Sequence, residues 1–190
     1  WSCNAFISVV AKGLASRQAG ILGLDAGATE AMGQLWVRNA TNMFNLGGLI
    51  ATVLTIPAAK LLGRKNMFLI YFLGSAAALM LAFGLDLDPQ TRLYMYFPIG
   101  LTTYGIFGAF TFYLPELFPT RLRGTGAGFT YNIGRLIAAF GPFLVGSIAA
   151  SGANALDSAI RVLFWVGVVP ILGVATLPLV IETKGRELAD

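Results

Sequence analysis

The chain is 190 residues long, 56% hydrophobic and only 12% charged, with 23 glycines, no histidine and one cysteine. Such a composition lies outside the range of soluble globular domains and inside that of membrane proteins. The formal charge of +4 comes without any basic cluster longer than two or three residues, which argues against nucleic-acid binding, and the lone Cys3 excludes an internal disulfide.

Residues 1–10 are apolar and lack the charged leader of a signal peptide, so they are expected to close a transmembrane helix that starts upstream in a longer protein. Residues 11–41 mix polarities and carry Lys12, Arg17, Asp25, Glu30 and Arg38, which predicts a segment in water or at the interface. A spanning helix needs about 20 largely apolar residues, because each advances about 1.5 Å through a core about 30 Å thick. Five stretches qualify: 42–62, 67–85, 93–114, 125–150 and 160–181. The expected fold class is an all-α polytopic membrane protein. Residues 1–41 would form a truncated helix and an extracytoplasmic loop, 42–181 a five-helix bundle, and 182–190 a cytoplasmic tail.

Orientation follows from the basic residues, which concentrate in cytoplasmic loops. Lys60, Arg64, Lys65, Arg121, Arg123, Lys184 and Arg186 fall on one side, seven in all, against Lys12, Arg17, Arg38, Arg92 and Arg161, five, on the other. The richer side is assigned to the cytoplasm, together with the C-terminus, as in a multi-pass protein of the plasma (bacterial inner) membrane.

The second and fifth spans are almost purely apolar and read as lipid-facing. The other three carry polar groups that share single helical faces at 100° per residue. These are Asn42, Asn45, Thr52 and Thr55 on the first; Tyr96, Thr103, Tyr104, Phe107 and Thr111 on the third; and Tyr131, Asn132 and Arg135 on the fourth. Interhelical hydrogen bonding accounts for any one of them, whereas three polar faces together point to a shared cavity lined by Asn45, Thr103, Tyr104, Thr111, Tyr131, Asn132 and Arg135. Pro57, Pro98, Pro142, Pro170 and Pro178 lie inside spans and are expected to kink them. Gly124 and Gly128 have the spacing of a close helix-packing motif.

Residues 113–124 read Tyr-Leu-Pro-Glu-Leu-Phe-Pro-Thr-Arg-Leu-Arg-Gly: a span ends in a proline-bracketed acid and the chain turns through a basic loop into a glycine-rich helix. This segment resembles the major facilitator superfamily, whose C-terminal half carries such a loop between its tenth and eleventh helices. Gly63-Arg64-Lys65 and Glu182-Thr183-Lys184-Gly185 match at the corresponding places, and the order of the three agrees with the family over residues 42–190. The resemblance implies the C-terminal six-helix half of a transporter, with its first helix truncated and its cavity completed by an N-terminal half. It also implies a cytoplasmic gate network of Arg64, Glu116 and Arg123.

The chain departs from sugar-porter relatives at Lys60, where an acid is common, at Ile181, where proline precedes Glu-Thr-Lys-Gly, and in the third span, where Tyr104–Thr111 replaces a Pro-x-Pro-Trp signature. Tyr131-Asn-Ile-Gly-Arg135 is more similar to metabolite:proton and organic-anion symporters. Arg135 lies 11 residues past Gly124, roughly 16 Å along a helix and so near mid-membrane. There a guanidinium clamps a carboxylate, pairs with an acid of the other half, or snorkels to the surface.

No histidine exists and no acid lies in the centre of a span, so neither a hydrolytic site nor a metal centre is expected, and no cofactor. A titrating group for proton coupling would sit in the other half. The resemblance thus implies a secondary active transporter in the lipid bilayer, not an enzyme, moving an organic anion with protons by alternating access. A sugar or polyol carrier of the same fold and a non-transporting sensor or structural membrane protein are the other readings.

Overall fold

The computed structural model describes residues 2–151 and 154–185. Among them every element is helical: α1 (Ser2–Ala5), α2 (Ile7–Leu22), α3 (Ala26–Leu62), α4 (Arg64–Gly84), α5 (Pro89–Tyr94), α6 (Tyr96–Glu116), α7 (Arg123–Ala138), α8 (Phe140–Ser151), α9 (Ala155–Val166), α10 (Val168–Ala175) and a 3-10 turn at Leu177–Leu179.

Proline sets three of the helix boundaries. It has no N–H to give the carbonyl four residues back and its ring crowds that carbonyl. Pro98, Pro142 and Pro170 therefore free the carbonyls of Tyr94, Ala138 and Val166, and these are the last residues of α5, α7 and α9. The next helix resumes two residues later in each case, so the broken pairs act as continuous spans with a bend. Five stretches are long and apolar enough to cross a membrane: Ala26–Leu62, Arg64–Gly84, Pro89–Glu116, Arg123–Ile148 and Ala155–Leu179. They match the five expected spans in order, and the chain is a multi-pass membrane protein.

The largest difference from expectation lies ahead of the first span. The helix expected to end near residue 10 runs on to Leu22, although Trp1 lies outside the described residues. The mixed-polarity stretch up to residue 41 is helical too, since α3 begins at Ala26 and has 37 residues, about 55 Å at 1.5 Å per residue. Its polar residues are compatible with helix because they sit on the outside of an α2–α3 hairpin. Gly23, at φ 65°, closes α2, and the Asp25 carboxylate caps α3 by accepting from the Ala28 N–H at 2.7 Å. Lys12 pairs with Glu30 across the hairpin at 3.1 Å, while Val10, Ala11, Leu14, Trp36 and Ala40 are buried.

Glycines let α3 and α6 touch backbone to backbone. A Cβ on Gly47 would strike the Phe97 carbonyl oxygen, and one on Gly100 the Phe44 carbonyl oxygen. In lipid, where apolar surface gains little by leaving the solvent, such close approach is what holds helices together. Thr55, fully buried on α3, seals the junction by donating to the Ala51 carbonyl at 2.7 Å and meeting the Tyr71 hydroxyl of α4 at 2.9 Å.

Burial also corrects the expected role of one helix. The apolar α4, read as lipid-facing, is the most enclosed span among the described residues, whereas Arg123–Ile148 has no buried residue among them. Hydropathy alone does not separate a helix in lipid from one among helices, because both environments are apolar. Gly124 and Gly128 face open space, so their spacing serves no packing within the described residues.

Candidate functional site

Three sequence-distant segments meet at one end of the bundle, called here the tail end. Leu62 ends α3, Gly63 alone makes the turn, and Arg64 begins α4. Gly63 has φ 82° and ψ 169°, a region essentially closed to side chains. A Cβ there would also lie 2.8 Å from Glu182 Oε2. Gly63→Ala is expected to cost about 1–3 kcal/mol from the backbone alone. The check is a lowered thermal midpoint in detergent together with loss of tail contacts; an unchanged midpoint would refute the constraint.

Arg64 and Glu116 occupy the first residue of α4 and the last of α6. Arg64 Nη2 donates to Glu116 Oε1 at 2.6 Å and Nε to Oε2 at 3.1 Å, a bidentate fork with both side chains mostly buried at 14% and 17% exposed. The guanidinium also reaches the Ala59 carbonyl at 3.3 Å and lies over the Phe112 ring, 5.7 Å from its centroid. Thr183 donates its hydroxyl to Glu116 Oε2 at 2.5 Å. A recess of about 240 Å³ opens beside the pair, lined by Ile56, Ala59, Lys60, Arg64, Thr111, Phe112 and Glu116.

The tail straps this junction. Glu182 accepts from the backbone N–H groups of Arg64 at 2.9 Å, Lys65 at 3.1 Å and Lys184 at 3.0 Å, placing a carboxylate on the positive end of α4. Lys184 donates Nζ to the Leu61 carbonyl at 2.9 Å, at the negative end of α3. The Tyr113 hydroxyl brackets the Ile181 peptide, accepting from its N–H and donating to its carbonyl, each at 3.1 Å.

Burial pushes the Glu182 carboxyl up, but the backbone N–H donors of Arg64, Lys65 and Lys184 and the Arg64 charge outweigh it and hold the group below its ordinary value. A carboxyl lowered by folding contributes stability above its unfolded pKa, and the contribution is lost as pH falls through the folded value. The tail is therefore expected to stay docked at neutral pH and to release only once acidification has passed below the ordinary glutamate range. A fluorophore near residue 184 reporting distance to α4 follows this, with Glu182→Gln removing the titration. An identical titration in that variant would sink the assignment.

The other sequence-derived residues are dispersed. Thr103 turns to α4, its hydroxyl 3.3 Å from Ser75 Oγ, whereas Tyr104 turns to α3, edge-on to Phe44 at 5.4 Å and against Gly48. Thr111 is exposed at the recess and donates to the Gly108 carbonyl at 2.7 Å. Asn45 is exposed on α3. On α7, Tyr131 packs on the tail-end core formed by Met67, Phe68, Ala109, Tyr113 and Leu114. Arg135 is exposed and holds its guanidinium 5.8 Å over the Tyr131 ring, and Asn132 donates to the Gly128 carbonyl at 2.8 Å. Arg123 reaches the Thr120 hydroxyl at 3.2 Å; the acid of the cluster is shared by Arg64 and Thr183 instead. No group of metal-ligating side chains occurs among the described residues.

A family model described as sugar (and other) transporter matches residues 40–190. The chain belongs to this family of major facilitator transporters. A Haemophilus influenzae protein named for metabolite transport is 33% identical over 68% of this chain and 31% of its own length. The cis,cis-muconate transport protein of Acinetobacter baylyi is 34% identical over 65% of this chain and 30% of its own length. A Bacillus subtilis protein named for niacin/nicotinamide transport is 35% identical over 46% of this chain and 22% of its own length. The chain thus spans less than a third of the length of these relatives. No solved structure gives a significant match. The family and the relatives are named for transport, not for catalysis.

In the sequence alone, Glu182-Thr183-Lys184-Gly185 stands as a family motif without a partner. The missed contributors are Glu182, Thr183, Lys184 and Tyr113. The available signal was the position of an acid just past the last span, level with the basic start of α4.

Proposed function

We propose that the chain is part of a secondary active transporter that carries a small organic anion, coupled to protons, by alternating access between two rocking halves. The observation that carries this reading is Arg135, an exposed guanidinium on the mid-span polar face of α7, supported on the Tyr131 ring. A fork-shaped cation at that depth is worth its cost where an anion meets it. The name of one relative agrees with this, since muconate is a dicarboxylate.

In this reading Tyr131, Asn132 and Arg135, with Thr103, Tyr104, Thr111 and Asn45 around them, face substrate between this chain and an N-terminal half. The open glycine face and the absence of buried residues on α7 leave room for that half. The tail end lies in the cytoplasm, and the α2–α3 turn near Gly23 lies toward the extracytoplasmic side. Arg64 and Glu116 close the inner gate, with Arg123 beside them and the tail as a strap.

Competition in a whole-cell uptake assay with labelled muconate or nicotinate tests the substrate class. Unlabelled organic acids are expected to suppress uptake and polyols to leave it unchanged. The reverse pattern would move the assignment to a sugar or polyol carrier hydrogen-bonding through Asn45, Thr103, Thr111 and Asn132. Binding without flux in proteoliposomes would replace transport by a sensor or structural role.

A further inference from the structure

The recess beside the Arg64–Glu116 pair is larger than the pair itself requires. It encloses about 240 Å³, room for roughly eight waters at about 30 Å³ each, and so for a small organic molecule rather than a single ion. Its walls are of two kinds. Ile56 and Phe112 are apolar, whereas Lys60, Arg64, Thr111 and Glu116 are polar.

The charges on this lining do not cancel. Arg64 and Glu116 neutralise each other through two hydrogen bonds, and Glu116 accepts from Thr183 as well. Lys60 is exposed and has no hydrogen bond or ion pair among the described residues. Two cations against one carboxylate leave the recess one net positive charge. A cleft with apolar walls focuses such a field and raises the local concentration of anions. With an acid at position 60 the same lining would be net negative and would repel them.

The recess also has an approach. On α3, Asn45, Leu49, Val53, Ile56 and Lys60 are all exposed and recur every three or four residues, so they form one stripe about 22 Å long that ends at the recess. Thr111, placed above on the substrate cavity, is on the recess wall too. Arg135 is at a different depth. It lies 12 residues beyond Arg123 at the tail-end start of α7, about 18 Å along the helix, whereas Lys60 lies in the last turn of α3.

We infer that the recess is a second, tail-side binding site for a small organic carboxylate, whose anionic group meets Lys60 and whose apolar body lies against Ile56 and Phe112. The inference rests on the organic-anion reading above and adds to it a station beside the inner gate.

The test uses the intact carrier, cleared of other reactive thiols, with Ile56→Cys as a reporter on the recess wall. A neutral thiol reagent is expected to label it in detergent, and cis,cis-muconate to slow the labelling saturably. Lys60→Arg should keep this protection, Lys60→Gln should raise the half-protecting concentration about tenfold, and Lys60→Glu should abolish it. Protection should persist in Arg135→Ala, which removes the mid-span contact. The assignment is overturned if muconate does not slow labelling, or if Lys60→Gln is protected as the parent is. It is overturned too if Arg135→Ala alone removes the protection, which then originates at the mid-span site. Equal protection by inorganic phosphate would replace the organic class by a phosphate or lipid-headgroup ligand. A reporter that stays unreactive until Lys60 is replaced would show the recess filled by an acid of the N-terminal half instead. Labelling needs no flux, so failure here leaves the uptake competition standing, and failure of that competition leaves this protection to be read by itself.

Discussion

Replacing Arg135 by alanine should abolish uptake of a carboxylate substrate while leaving the protein folded and inserted. A charge-assisted, bidentate contact is worth up to about 3 kcal/mol, roughly a hundredfold in uptake below saturation. Arg135→Lys keeps the charge but loses the planar fork, so it should recover only a fraction of that loss. The structural alternative has the opposite signature. An arginine at mid-bilayer is costly to insert, so if its role were packing alone, its removal would change abundance or the thermal midpoint and leave the kinetics of the surviving protein intact. Ile133, exposed on the same helix, provides a control: Ile133→Ala should leave kinetics unchanged. Uptake normalised to surface-labelled protein reads all three variants, and unaltered kinetics in Arg135→Ala would remove that residue from the substrate site.

The second large effect belongs to the Arg64–Glu116 pair. Both side chains are mostly buried and joined by two hydrogen bonds, so deleting one partner strands the other in a poorly hydrated place. Arg64→Ala and Glu116→Ala should each be costly and the double variant much less than additive, with a coupling of about 2 kcal/mol. In an alternating-access carrier that energy would act on the balance of states, and 2 kcal/mol corresponds to about a thirtyfold shift in population. Cysteine accessibility at the two faces should then show the tail-end face opening in each single variant. Equal labelling in the parent and both variants would take the pair out of the gate and leave it a static staple.

The site was legible in part, and the parts differ for physical reasons. Arg64 and Glu116 were named from motif order, and the structure joins them. Their partners Glu182 and Thr183 were quoted but unassigned, because Glu182 reaches the Arg64 N–H across 118 residues of sequence, a separation over which no helical periodicity speaks. Arg123 shows the converse, since its loop position made it a natural gate partner, yet its guanidinium turns to Thr120 in its own loop. Thr103 and Tyr104 are adjacent and were assigned to one polar face, but they contact different helices. A 100° step is enough to divide neighbours between two partners when helices pack on both sides.

Sequence by itself determined the five spans, their order and the breaks at Pro98, Pro142 and Pro170, because span length and hydropathy are local properties and proline acts on the carbonyl four residues before it. The kink expected at Pro57 is absent as a break, α3 running unbroken through it. Sequence also identified the family, through three short motifs held in order. Only the tertiary structure decided that residues 26–41 extend the first span as helix, that α4 is enclosed while α7 is open, and that the tail caps the turn between α3 and α4. Each of these depends on what stands opposite a residue in space. In a chain this uniformly apolar, composition is nearly the same for a face that meets lipid and a face that meets another helix.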